Sequence, residues 1–97
     1  MKNTNFQMIK ELDAEYDKLP HKRGFISEET ATLIKETLHL EEFETVLELR
    51  NLRDFTVLYL STKNKDKDDK ETISNTDKIS AITHMIDIEI FNKGGEV

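Results

Sequence analysis

The chain has 97 residues, 36% of them apolar and 35% charged, with a formal net charge of −6 and no cysteine. That length supplies one domain with a modest core, burying about 60% of its unfolded surface. The composition excludes a disulfide framework, a zinc–thiolate site and a thiol nucleophile, and the acidic balance speaks against generic nucleic-acid binding, which needs cations to displace counterions.

From Phe25 to Lys93 the chain runs 69 residues without a glycine or proline, where average usage would place roughly eight. Tight hairpins and strand crossovers lean on those two residues. The gap therefore predicts a mostly helical body and removes every glycine-rich ligand loop from it. The longest uninterrupted apolar run is Val57 to Leu60, far short of a membrane span. Met1 to Asn5 leads into an amphipathic segment, not the continuous apolar stretch of a signal peptide, so the expected address is cytoplasmic. Leu, Ile, Lys, Glu, Asn and Thr abound against three Ala and three Arg. AT-rich codons produce that bias, which points to a low-GC bacterium or one of its phages or plasmids.

The first segment, about 5–19, carries Ile9, Leu12, Tyr16 and Leu19 at spacings of three, four and three, with Phe6 extending the stripe. That predicts an amphipathic helix with Glu11, Glu15 and Lys18 on its solvated side, ended by Pro20. His21-Lys22-Arg23-Gly24 follows as a short basic connector. Together with Lys18 it is too weak a patch to hold an anionic partner and reads as surface decoration.

Ile26-Ser27-Glu28-Glu29 is a helix start, with a serine N-cap and two acids in the first turn. The second helix is expected over 27–39, with Ala31, Ile34 and Leu38 on one face. In the third region, acids Glu41, Glu42 and Glu44 precede Arg50 and Arg53, a polarity that suits a helix dipole. Leu40, Phe43, Leu47 and Leu58 are read as its inner arc, leaving Leu49, Leu52 and Leu60 pointing away. The run Phe55 to Leu60 is also rich in β-branched and aromatic residues. A hairpin of strands 45–50 and 55–60 is thus the alternative, although its turn lacks Asn-Gly or Asp-Gly. The helical reading, 41–61, is preferred.

Lys63 to Lys70 is mixed in sign and wholly polar, which predicts a mobile loop at about 63–73. The last helix is expected over 76–92, capped by Thr76 or Asp77, with Ile79, Ile82, Met85, Ile86 and Ile90 as its stripe and Gly94-Gly95 as its stop. The fold class is accordingly an all-α four-helix bundle in one domain, 1–97, with α+β as the alternative.

Glu36-Thr37-Leu38-His39 has the Glu-x-x-His spacing of carboxylate-bridged metal bundles. The only echo is His84-Met85-Ile86-Asp87, in reversed order, so exposed or capping roles are expected and no metal site. A helix-turn-helix over Ile34–Leu40 and Glu41–Leu52 would place Glu41, Glu42 and Glu44 against phosphates, with Arg50 and Arg53 too late to read bases. No nucleophile elbow, Walker loop, dinucleotide fingerprint or calcium loop is present. Catalytic, cofactor-binding and metal residues are all expected to be none, and Phe43, Phe55, Tyr59 and Phe91 are read as core.

The function so implied is that of a small non-enzymatic interaction or regulatory protein, plausible for a bacterial mobile element, whose partner is another protein. A homodimer would cover the surplus apolar surface of the third helix. A nucleic-acid-associated transcriptional regulator is the alternative, with nucleic acid the less expected partner and a membrane not expected.

Overall fold

A computed structural model describes residues 4–19, 25–63 and 69–95, with the side chains of 69–74 left aside. Among the described residues the elements are α1 (Asn5–Tyr16), α2 (Glu28–Thr37), a 3-10 turn (Leu40–Glu42), α3 (Val46–Lys63) and α4 (Asp69–Asn92), with no strand. The chain is an all-α four-helix bundle, and the hairpin alternative is set aside because 45–50 and 55–60 lie within or at the start of one continuous helix.

Local chemistry explains most helix ends. Thr4 caps α1 in a reciprocal box: Gln7 N donates to Thr4 Oγ1 at 3.1 Å and Thr4 N donates to Gln7 Oε1 at 3.2 Å. The helix stops at Tyr16, three residues before the expected Leu19, and Lys18 and Leu19 close with tighter bonds to Glu15 O and Tyr16 O. Ser27 caps α2 as anticipated, accepting from Thr30 N at 3.1 Å. That helix ends at Thr37, with Leu38 as its C-cap, because His39 takes a left-handed conformation, φ 51°.

Two starts differ from expectation. The third helix begins at Val46, not at Glu41, because Thr45 is the residue that caps: Glu48 N donates to Thr45 Oγ1 and the hydroxyl in turn donates to Glu48 Oε1. Glu41, Glu42 and Glu44 therefore belong to the corner before α3. The fourth helix begins at Asp69, so 69–73 is helix where a loop was expected and Asn75 to Asp77 are interior positions. Residues 64–68 of that loop lie outside the described residues.

The stop of α4 is a full Schellman motif. Gly94 sits at φ +86°, its N–H bonds Phe91 O, and Gly95 N bonds Ile90 O, both at 2.9 Å. A methyl group at Gly94 would meet nothing within 4 Å, so Gly94→Ala isolates the conformational cost of positive φ. The expected loss is about 1 kcal/mol, read as a lowered urea midpoint at unchanged slope.

α3 and α4 form the main antiparallel pair, as Arg53 with Asp87 and Leu60 with Asn75 show. The core gathers Ile9 and Leu12 from α1, Ile34 from α2, Leu38 and Leu40 from the corner, Leu49, Leu52 and Leu60 from α3, and Ile82, Ile86 and Ile90 from α4, all fully buried. The inner arc of α3 is thus the reverse of the expected one. Leu49, Leu52, Thr56 and Leu60, at spacings of three, four and four, face inward, while Leu47 and Leu58 are 68% and 65% exposed. Thr56 completes the inner stripe because its hydroxyl donates back to Leu52 O at 2.8 Å, which removes the cost of burying it. Phe43, Phe55 and Tyr59 pack against the core as expected, but Phe91 is 71% exposed.

Candidate functional site

Among the described residues, a cluster of paired charges lies inside the bundle. Asp13 and Lys78 are both nearly inaccessible, on the apolar stripes of α1 and α4 respectively. Lys78 Nζ reaches Asp13 Oδ1 at 2.5 Å and Asp17 Oδ1 at 2.7 Å, and it lies 5.5 Å from the centre of the Tyr16 ring. The second carboxylate oxygen of Asp13 accepts from Lys63, at the end of α3. Nearby, Asn75 Nδ2 donates to Leu60 O at 2.7 Å.

Burial alone would raise the Asp13 pKa, but the hydrogen bonds and charges of Lys63 and Lys78 outweigh it and hold the carboxyl below its ordinary value. Lys63 is raised, chiefly by its bond to Asp13. Tyr16 is raised by burial, then by the charges of Asp77 and Asp17. The carboxylate is thus ionised and fully engaged at neutral pH, a poor proton acceptor and a good structural tie between three helices. No buried polar side-chain atom among the described residues lacks a partner.

The surface carries two acid-rimmed hollows along α2. One, of about 560 Å³, is lined by Glu15, Lys18, Leu19, Glu28, Glu29 and Leu33 among others. The other, of about 480 Å³, contains Lys35, Glu36, His39, Glu41 and Glu42. The Glu36–His39 pair from the sequence falls in the second, where His39 Nδ1 lies 3.1 Å from Glu42 Oε2. Asp87, from the reversed echo on α4, is engaged by Arg53 at 2.6 Å. Among the described residues no group of three or more His, Cys, Asp or Glu side chains has the arrangement to hold a metal ion. The corner between α2 and α3 runs from Leu38 to Thr45, much longer than the three- or four-residue turn of a helix-turn-helix. Lys18 pairs with Glu15 at 3.0 Å, while 20–24 of the basic connector lie outside the described residues.

Two exposed helix rows carry large apolar side chains among polar ones. On α3, Leu47, Asn51, Asp54 and Leu58 share an exposed row; on α4, His84, Ile88 and Phe91 share another at spacings of four and three. These two rows are the candidate site. Sequence reading missed them by assigning Leu47, Leu58 and Phe91 to the core. The signal that could have found the first row is Thr56, whose position completes a competing stripe. No helix among the described residues is long and apolar enough to cross a membrane. Comparison of the chain with protein-family models, curated proteins and solved structures finds no match.

Proposed function

We propose that the chain is a small non-enzymatic regulatory protein that acts by binding another protein, in keeping with the low-GC mobile-element origin its composition suggests. The observation that carries this reading is the outward display of large apolar side chains by a bundle whose own core is already filled. Leu47, Leu58 and Phe91 are each about two-thirds exposed although 11 Leu and Ile side chains are sealed inside. Single exposed leucines are ordinary on protein surfaces, but large apolar side chains grouped on one helix face, as Ile88 and Phe91 are on α4, favour an interaction surface. The most buried charges, Asp13 and Lys78, are by contrast engaged in holding the helices together.

The test is quantitative affinity capture from cells of the native host, with wild type beside the α4 variant I88E/F91E. Wild type is expected to retain a protein at fixed stoichiometry, and the variant to lose it while keeping the wild-type circular dichroism spectrum. Binding to duplex DNA that weakens steeply with salt, in place of a protein partner, would contradict the proposal.

A further inference from the structure

A buried ion pair adds little net stability, because desolvation offsets its attraction, yet it penalises every arrangement that separates the two charges. Asp13 and Lys78 are 5% and 4% exposed and stand 65 positions apart. Around the Lys78 ammonium are Asp13, Asp17 and the Tyr16 ring, all from α1 or its C-cap. The Asp13 carboxylate in turn divides its oxygens between Lys78 on α4 and Lys63 at the end of α3. One carboxylate thus measures the position of α1 against two other helices at once.

The apolar contacts of α1 are less exacting. Its buried stripe of Met8, Ile9, Leu12 and Tyr16 shares a core with Ala81, Ile82, Ile86 and Ile90 of α4. Apolar side chains of similar volume exchange in such a core at small cost, so a slide of α1 by one turn, about 5.4 Å, changes that packing little. The charges respond far more sharply. One slide sets Ile9 in the place of Asp13, leaving Lys63 without its carboxylate and Lys78 with only the acceptor at the exposed Asp17 place. The opposite slide brings Asp17 to the lysines but drives Asp13 into the place of Ile9, which is fully buried among apolar side chains. We infer that Asp13 and Lys78 form a register lock, which selects one seat for α1 among seats that apolar packing alone leaves close in energy. Asp17, one turn beyond Asp13, is the acceptor that takes over when the lock is removed. This role is independent of the partner surface ascribed to α4.

The experiment is pulsed electron–electron double resonance between nitroxides at E11C on α1 and N92C at the end of α4, both exposed positions in a chain that has no cysteine of its own. The otherwise wild-type pair should give one narrow distance. D13L frees the second slide, because a leucine then fills the place of Ile9 while Asp17 reaches both lysines. It should show a second distance, shifted by up to about 5 Å. D13L/K78M strands no buried charge, so it should keep a urea midpoint near that of wild type and still show the second distance. L12A, which weakens the bundle without touching the charges, should keep one distance, so that lost stability is not mistaken for lost register. An unshifted single distance in folded D13L overturns the inference, as does one in D13L/K78M should D13L not fold. A second distance in wild type or L12A overturns it too, since α1 would then slide whether or not the lock is present.

Discussion

Asp13→Ala is expected to cost about 3–5 kcal/mol, because it leaves Lys78 buried without its main counter-charge. Lys78 is only 4% exposed, on a stripe otherwise made of Ala81, Ile82, Ile86 and Ile90. Against the 5–15 kcal/mol that typically separates native from unfolded domains, roughly, that loss brings the chain near its unfolding threshold. Replacing both charges with apolar residues of similar size, in Asp13→Leu with Lys78→Met, should cost far less than the two single changes added together, since no charge is left stranded. Lys63→Ala should cost at most about 1 kcal/mol, because the Lys63 side chain is half exposed and its bond is screened by solvent. Urea unfolding of the single and double variants gives the coupling between Asp13 and Lys78 directly.

The same tie gives the fold an acid-sensitive side. The Asp13 pKa is lowered in the folded state from an ordinary value of 3.8. Its stabilisation is therefore fully present above that value and is lost as pH falls through the lower, folded one. Raised values at Lys63 and Tyr16 act in the opposite direction. Their contributions are present at neutral pH and are lost in alkali, as pH rises past the ordinary 10.5 and 10.0. Stability should thus have a broad neutral plateau, with an acid shoulder that flattens in Asp13→Asn.

The second large effect concerns the rotation of α3. Leu52→Ala removes a fully buried side chain at the centre of the inner stripe and should cost about 2–5 kcal/mol through lost burial and the cavity left behind. Leu58→Ala, six residues further along the same helix, should change monomer stability by no more than about 0.5 kcal/mol. The reverse ranking would mean that α3 is turned by half a revolution.

Much of the fold was legible in the sequence because its signals are local. The Ser27 cap acts over three residues, and the Gly94–Gly95 stop over five. Apolar spacings along α1, α2 and the second half of α4 report a single helix face each. What the sequence misassigned depends on distant partners. Asn75 looks like the polar preface to a helix until Leu60 O is placed beside it, and Lys78 shows no partner until Asp13, 65 positions away, is brought to it. A trace of that contact was nevertheless present: Asp13 lies on the Ile9–Leu12–Tyr16 face and Lys78 one turn before Ile82, charged residues on two apolar stripes. The orientation of α3 was ambiguous because its leucines occupy both faces, and only the back-bonded Thr56 decides between them. The candidate site inherited that ambiguity, since Leu47 and Leu58 cannot be both core and surface.

The central claim is that α3 turns Leu47 and Leu58 outward and keeps Leu49, Leu52 and Leu60 within. Leucine methyl spectra recorded with a soluble paramagnetic probe test it most directly. The Leu47 and Leu58 methyls should broaden strongly and those of Leu49, Leu52 and Leu60 should not. Broadening of Leu49, Leu52 and Leu60 with Leu47 and Leu58 spared would contradict it.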